Sequence, residues 1–107
     1  MPHYLLQAAY KDTSIKHMVD HPQPREDAVR KAAESLGGRV LQYYFCFGEY
    51  DTVTVLDFPS NEAAMAFLVV VTAGGALAKA HTTALITPDE AVRAMQAAGR
   101  ASYTPPA

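Results

Sequence analysis

Two runs of β-branched and aromatic residues, separated by only four residues, constrain the fold of this chain most strongly. The first run, RVLQYYFCF, covers residues 39–47, and the second, TVTVLDF, covers residues 52–58. Such residues favour β-strands, and a four-residue link joins strands that lie antiparallel beside each other. The sequence therefore predicts a β-hairpin in the middle of the chain, with GEYD at its turn.

Further strands and helices are predicted on both sides of this hairpin. HYLLQAAY, residues 3–10, has the apolar and aromatic character of a buried strand, and LAKAHTTALI, residues 77–86, predicts the last strand. Apolar residues at helical spacing predict helices over 24–36 and 61–71, each followed by a pair of glycines that can end it. A short helix over 12–19, begun by capping side chains, is interrupted by two prolines.

A last helix is predicted directly after the final strand. Thr87 and Glu90 have the spacing of a capping box, and Pro88 occupies the first helical position between them. We expect this helix to end at Gly99 and to close a single domain over residues 1–99. Residues 100–107 contain the segment YTPPA, which predicts an extended tail of the kind that often lies on a neighbouring molecule.

The order of these elements predicts an α+β fold. Strand, helix, strand, strand, helix, strand is the βαββαβ order of a ferredoxin-like sandwich, in which helices cover one face of a four-stranded antiparallel sheet. Simple alternation places Val40, Gln42 and Tyr44 on one side of the second strand and Tyr43 and Phe45 on the other. Because neither side is clearly polar, we expect the uncovered face to pack on a second copy, as a homodimer or higher homo-oligomer.

Composition excludes several classes of function. A chain of 107 residues forms one domain, and its 9 basic and 11 acidic residues, without a basic cluster, do not favour nucleic-acid binding. The longest apolar run, residues 63–71, is too short to cross a membrane. The single cysteine, Cys46, fits a reducing compartment, so we expect a cytoplasmic protein; beside two phenylalanines this thiol is interpreted as part of the core.

The segments ESLGGRVLQYYFCFGEYDTVTVLDFPSNEAA, TTALITPDEA and YTPP resemble the GYD domain family of small bacterial proteins. The Gly-Tyr-Asp signature of that family corresponds to Gly48, Tyr50 and Asp51. The resemblance implies a ferredoxin-like fold of the dimeric α+β barrel type. It implies no particular catalytic residues and no cofactor, so the identity of any cofactor stays unknown at this point.

The GEYD link has two interpretations. Glycine permits a left-handed turn, and the carboxylates can accept backbone hydrogen bonds, so a structural turn explains most of the motif. In the second interpretation Tyr50 and Asp51 orient a ligand or transfer a proton. We favour the structural turn.

His17 and His21 are candidate metal ligands. They stand four residues apart on the short helix, which allows both imidazoles to face the same way. Two ligands do not complete a site, and a third would come from elsewhere in the chain or from a second subunit. The favoured interpretation is two solvated histidines.

Polar side chains in the predicted strands suggest a small-molecule site. If Tyr10, Tyr44 and His81 line a cavity between sheet and helices, they supply hydrogen-bonding groups and one base that titrates near neutral pH. Gln42 and Thr83 are further candidate contacts to a ligand. The alternative is that the tyrosines fill the core and His81 hydrogen-bonds to backbone.

Two functions follow from these candidates. The first is a small oligomeric module, without chemistry of its own, that binds a small molecule or a protein partner. The second is a cofactor-independent enzyme, such as an isomerase or an oxygenase-like protein, acting on a small, mostly apolar molecule. In that enzyme His81 is the general base, and Tyr44, Tyr50 or Asp51 orients the substrate. We place the binding module first because nothing in the sequence demands catalysis.

Overall fold

A computed structural model describes all 107 residues of the chain and contains four strands and four helices. The strands are β1 (His3–Tyr10), β2 (Arg39–Phe45), β3 (Thr52–Asp57) and β4 (Leu77–Leu85). The helices are α1 (Asp12–Asp20), α2 (Glu26–Ser35), α3 (Asn61–Ala73) and α4 (Pro88–Arg100). The predicted order of elements, including the hairpin and the additional C-terminal helix, is confirmed.

The four strands form one antiparallel sheet in the order β2-β3-β1-β4. The first strand pairs with β3 on one side and with β4 on the other, so the hairpin and the last strand flank it. This is the strand order of a ferredoxin-like sandwich, and the predicted fold class is therefore confirmed.

The core lies between the helices and one face of the sheet, which we call the inner face. Leu6 and Leu56 stand on that face, and Phe58, Phe67 and Ala33 pack against it. The rings of Phe58 and Phe67 have their centroids 5.3 Å apart. Burial of such large apolar side chains is what holds the helices to the sheet.

The connection from α2 to β2 depends on two adjacent glycines. Gly37 ends α2 in the left-handed region, with φ of +80°, and the amide of Gly38 donates to the carbonyl of Ala33 at 2.9 Å. A Cβ atom on Gly38 would lie 2.5 Å from the backbone oxygen of Asp57. Only a residue without a side chain allows the two segments to approach this closely.

The predicted division of β2 into two faces is wrong at its start. Val40 pairs with Leu56, but the next paired residue is Gln42, so Leu41 is an extra residue that interrupts the register. This bulge puts Val40 on the inner face with Tyr43, while Gln42 and Tyr44 face away from the helices. Simple alternation fails here because a bulge adds one residue to one strand only.

Two predicted helix ends also differ from the structure. The first helix has Lys11 at its N-cap, without a capping side chain, and Ser14 instead donates from its hydroxyl to the carbonyl of Ala76 at 2.9 Å. The last helix runs through Gly99 to Arg100. None of the four helices combines the length with the apolar character that a membrane crossing requires.

Candidate functional site

A cavity of about 250 Å³ opens between the inner face of the sheet and the two helices α2 and α3. Twelve of its sixteen lining residues are hydrophobic, so a ligand held there would lose mostly apolar surface to the protein. The strands contribute Leu6, Ala8, Tyr10, Tyr43, Thr52, Thr54 and Leu77, and the helices and the segments that border them contribute Arg25, Ala28, Val29, Ala32, Phe67, Val70, Val71, Gly74 and Ala76.

The polar groups of the cavity include Tyr10, Tyr43 and Arg25. Burial, and then interaction with the Tyr10 side chain, raise the pKa of Tyr43 well above its usual range, so its hydroxyl keeps its proton and is a hydrogen-bond donor. The charge of Arg25 acts in the opposite direction on the pKa of Tyr43, and that of Glu26 in the same direction as burial. Tyr10, Tyr43 and Arg25 all border the cavity.

Two threonines add hydroxyl groups to the sheet side of the cavity. Thr52 and Thr54 point inward from β3, opposite Ala8 and Leu6 of β1. The alternation of β3 explains this, because Val53 and Val55 between them face the other side of the sheet. Both threonines are almost completely buried and offer hydroxyl groups to the interior of the cavity.

Asp51 connects the hairpin turn to this cavity. Its carboxylate oxygen Oδ2 accepts a hydrogen bond from the backbone amide of Tyr10 at 2.8 Å, and its own amide donates to the carbonyl of Ala8 at 2.8 Å. The end of β1 is irregular at this point, since its register with β4 shifts between Ala9 and Tyr10. Asp51 thereby holds the backbone from which the Tyr10 side chain enters the cavity.

The other residues of the turn also have structural roles. Gly48 has a φ of +118°, a conformation that favours glycine. Lys79 of β4 lies with its ammonium 4.9 Å from the ring centroid of Tyr50 and pairs with Glu49 at 3.1 Å. The turn is thus attached to β4 as well as to β1.

Four predicted site residues lie on the opposite face of the sheet from the cavity, which we call the outer face. The register puts His81 opposite Gln7 and Thr83 opposite Leu5, while Gln42 and Tyr44 stand opposite Val55 and Val53. The hydroxyl of Tyr44 donates to Oε1 of Gln42 at 2.6 Å. The structure therefore brings Tyr10 to the cavity but separates it from Tyr44 and His81, and the predicted grouping of these three side chains is wrong.

His17 and His21 lie together at the C-terminal end of α1. Their rings stack with centroids 4.7 Å apart, and both residues are exposed. No group of three or more His, Cys, Asp or Glu side chains is arranged to hold a metal ion. His17 also borders a second, smaller hollow beside the cavity, which shares Tyr10 and Arg25 with it.

Sequence reasoning missed Arg25 and Tyr43. Arg25 stands between Pro24 and the first turn of α2, where nothing in the local sequence marks a basic residue as part of a site. The sequence of β2 does not indicate which of its sides faces the helices, so it does not place Tyr43 beside Tyr10. The useful signal was the alternation of β3, which places Thr52 and Thr54 on one side and two valines on the other.

Comparison with known proteins agrees with this architecture. The crystal structure of MtbAldR superposes with a TM-score of 0.63 and 15% sequence identity, covering 80% of this chain and 53% of that chain. This chain therefore spans about half the length of that protein, and the likeness concerns the fold alone. No curated protein matches the sequence. The family model of the GYD domain matches residues 4–95, and the chain belongs to the GYD domain family.

Proposed function

We propose that this protein binds a small organic anion with an apolar body, and that the cavity between the sheet and helices α2 and α3 is the binding site. The observation that carries the proposal is the combination of an apolar lining with one arginine at the cavity. Apolar cavities with a few polar groups that converge on one point are typical of small-molecule sites.

The size of the cavity limits the ligand. Its volume of about 250 Å³ is just below the range of about 300–1,000 Å³ that is typical of drug-sized ligands. A short aliphatic chain or a single ring would fill it. The side chains of Val29, Phe67 and Val71 would contact that apolar part.

The polar group of the ligand would meet Arg25. The chain has four ion pairs, and Arg25 takes part in none of them, although it is half-buried. A guanidinium without a carboxylate partner can bind a ligand carboxylate through two parallel hydrogen bonds. The hydroxyls of Tyr10 and Tyr43, which border the same cavity, are further donors. The charge and the donors together favour an anion over a neutral molecule.

The proposal includes a homodimer that packs outer face on outer face. That face carries Leu5, Val53 and Val55 at its centre, and the ring of Tyr44 is 61% exposed beside them. Sheets that pack in this way bury their facing side chains about 10 Å apart. A second copy would cover this surface and leave the cavity accessible from the helix side.

The enzymatic alternative with His81 as general base has less support. His81 is exposed on the outer face, whereas the cavity lies on the inner face. A proton transfer needs the base within hydrogen-bond reach of the substrate. Binding in the cavity is therefore independent of His81, and this independence can be measured.

Octanoate and octan-1-ol are suitable probes because they share an apolar chain and differ in charge. We expect octanoate to shift the amide resonances of Tyr10, Val29 and Val71 in NMR spectra of the full chain. In the Arg25→Gln variant we expect octanoate to bind about tenfold more weakly, while octan-1-ol binds as before. His81→Gln is the control and should bind both probes like the wild type.

The outcomes separate the two parts of the proposal. If octanoate shifts no resonance around the cavity, the cavity is not the binding site. If both probes bind there and Arg25→Gln weakens both equally, the preference for an anion is wrong. If His81→Gln abolishes binding, the outer face takes part in ligand binding. That result would support the enzymatic alternative with His81 as general base.

A further inference from the structure

Helix α4 lies outside the body of its own chain. It has no buried residue, and it makes no extensive contact with any strand or other helix. The radius of gyration of the protein is 17.4 Å, whereas a compact chain of this length has one of about 13 Å. The longest dimension is 58 Å. The last helix and the residues after it therefore extend away from the sandwich.

The sequence of α4 nevertheless specifies a helix with one apolar side. Thr87 and Glu90 form a complete capping box. Hydrogen bonds to the Glu90 carboxylate, first from the backbone amide of Thr87 and then from its side chain, hold the pKa of Glu90 below its usual range. Val92 and Met95 stand on one side and are 50% and 68% exposed. A helix of 13 residues is marginal in water without packing, even when its ends are capped. The apolar side of α4 therefore requires a surface to pack on.

The exposed area of the protein indicates what that surface is. The chain exposes 7478 Å², whereas a compact monomer of 11.6 kDa exposes about 5,800 Å². The excess is roughly 1,700 Å², about twice the 800 Å² that each partner buries in a standard interface. Exposed apolar side chains occur both on the outer face of the sheet, at Tyr44, and on α4, at Val92 and Met95.

We infer that α4 is an exchanged arm, whose apolar side packs against a second copy of this chain. Two copies related by a two-fold axis would exchange identical arms, so both apolar sides are covered at once. Ile86 before the helix and Tyr103 after it, 68% and 79% exposed, would extend the same contact. The interface would then comprise the outer face and the arm, and loss of the arm contact would weaken the whole dimer.

The test is a pair of neighbouring substitutions in the full chain that add the same charge. Met95→Glu puts a carboxylate on the apolar side, and Ala97→Glu puts one on the opposite side of the helix, four residues after Arg93 and three before Arg100. Sedimentation velocity over a range of concentrations measures the dissociation constant of the dimer. We expect Met95→Glu to raise it at least tenfold and Ala97→Glu to leave it unchanged.

Amide hydrogen exchange of α4 is the second measurement. We expect α4 to be protected in the wild-type dimer and to exchange rapidly in Met95→Glu, while β1 stays protected in both, which shows that the variant is folded. A wild-type monomer with a compact radius would show that α4 folds back on its own chain. An extended monomer would show that α4 does not pack on a second copy of this chain and is available to a different protein. A dimer whose dissociation constant is unchanged in Met95→Glu would show that α4 does not contact the partner. Each of these three results overturns the inference.

Discussion

Asp51 illustrates how one side chain of the family signature acts on a distant part of the site. It follows Gly48 and Tyr50 in the turn of the hairpin, but its carboxylate binds the amide of Tyr10, 41 residues earlier in the chain. The turn interpretation of GEYD is therefore supported by the positive φ of Gly48 and by a partner for each of the other three residues. The same contacts also connect the signature to the cavity, because Tyr10 is one of its polar groups.

Replacement of Asp51 tests this connection. Asp51→Ala removes a charged acceptor from a part-buried amide, and we expect the free energy of unfolding to fall by about 1–3 kcal/mol. Asp51→Asn keeps an acceptor oxygen, and we expect a smaller loss. Urea denaturation of the two variants gives both values. Equal effects of Asn and Ala would contradict a role for the accepting oxygen.

Some features of the strands and helices follow from the sequence of the element itself, and others follow from contact with a neighbouring element. The boundaries of β1 agree with the sequence because its apolar run lies between Pro2 and the polar residues Lys11 and Asp12, and the capping box of α4 is local chemistry that any fold would keep. The bulge of β2 and the approach of Gly38 to β3 depend on which strand lies alongside. A single strand or helix contains no signal for them.

The two glycines Gly38 and Gly99 allow a matched test at this scale. In Gly38→Ala the new Cβ would lie 2.4 Å from the Phe58 ring, so we expect a loss of about 1–3 kcal/mol. In Gly99→Ala the new Cβ meets nothing within 4 Å inside a helix, so we expect a gain of about 0.5–1 kcal/mol in the stability of α4. Thermal denaturation measures the loss of stability in Gly38→Ala, and circular dichroism measures the stability of α4 in Gly99→Ala. A neutral Gly38→Ala would show that β3 can move aside.

At the scale of the whole molecule, the protomer has more surface than its size requires. The cavity lies on the inner face, the unpaired apolar residues lie on the outer face, and α4 extends beyond both. The proposed ligand site and the proposed dimer contact therefore lie on opposite faces of the sheet. Substitutions at one surface can be made without changing residues of the other.

Self-association predicts a stability that depends on protein concentration. Because a dimer must dissociate when its chains unfold, we expect the midpoint of thermal denaturation to rise by roughly 5 °C over a hundredfold range of concentration. Differential scanning calorimetry of the wild type measures this rise. Met95→Glu, whose dimer we expect to be weaker, should show a lower midpoint at low concentration. A midpoint that is independent of concentration in the wild type would contradict the homodimer.

The GYD signature indicates the family, and the pattern of residues along the chain is enough to predict the order of strands and helices and the fold class. These depend on local periodicity, capping groups and turn residues, which act over a few neighbouring positions. That Tyr43 and Arg25, and not Tyr44 and His81, border the cavity with Tyr10 follows from the packing of the sheet on the helices. Side chains alternate between the faces of a strand, so one bulge or a different choice of covered face moves a residue from the cavity to the opposite surface.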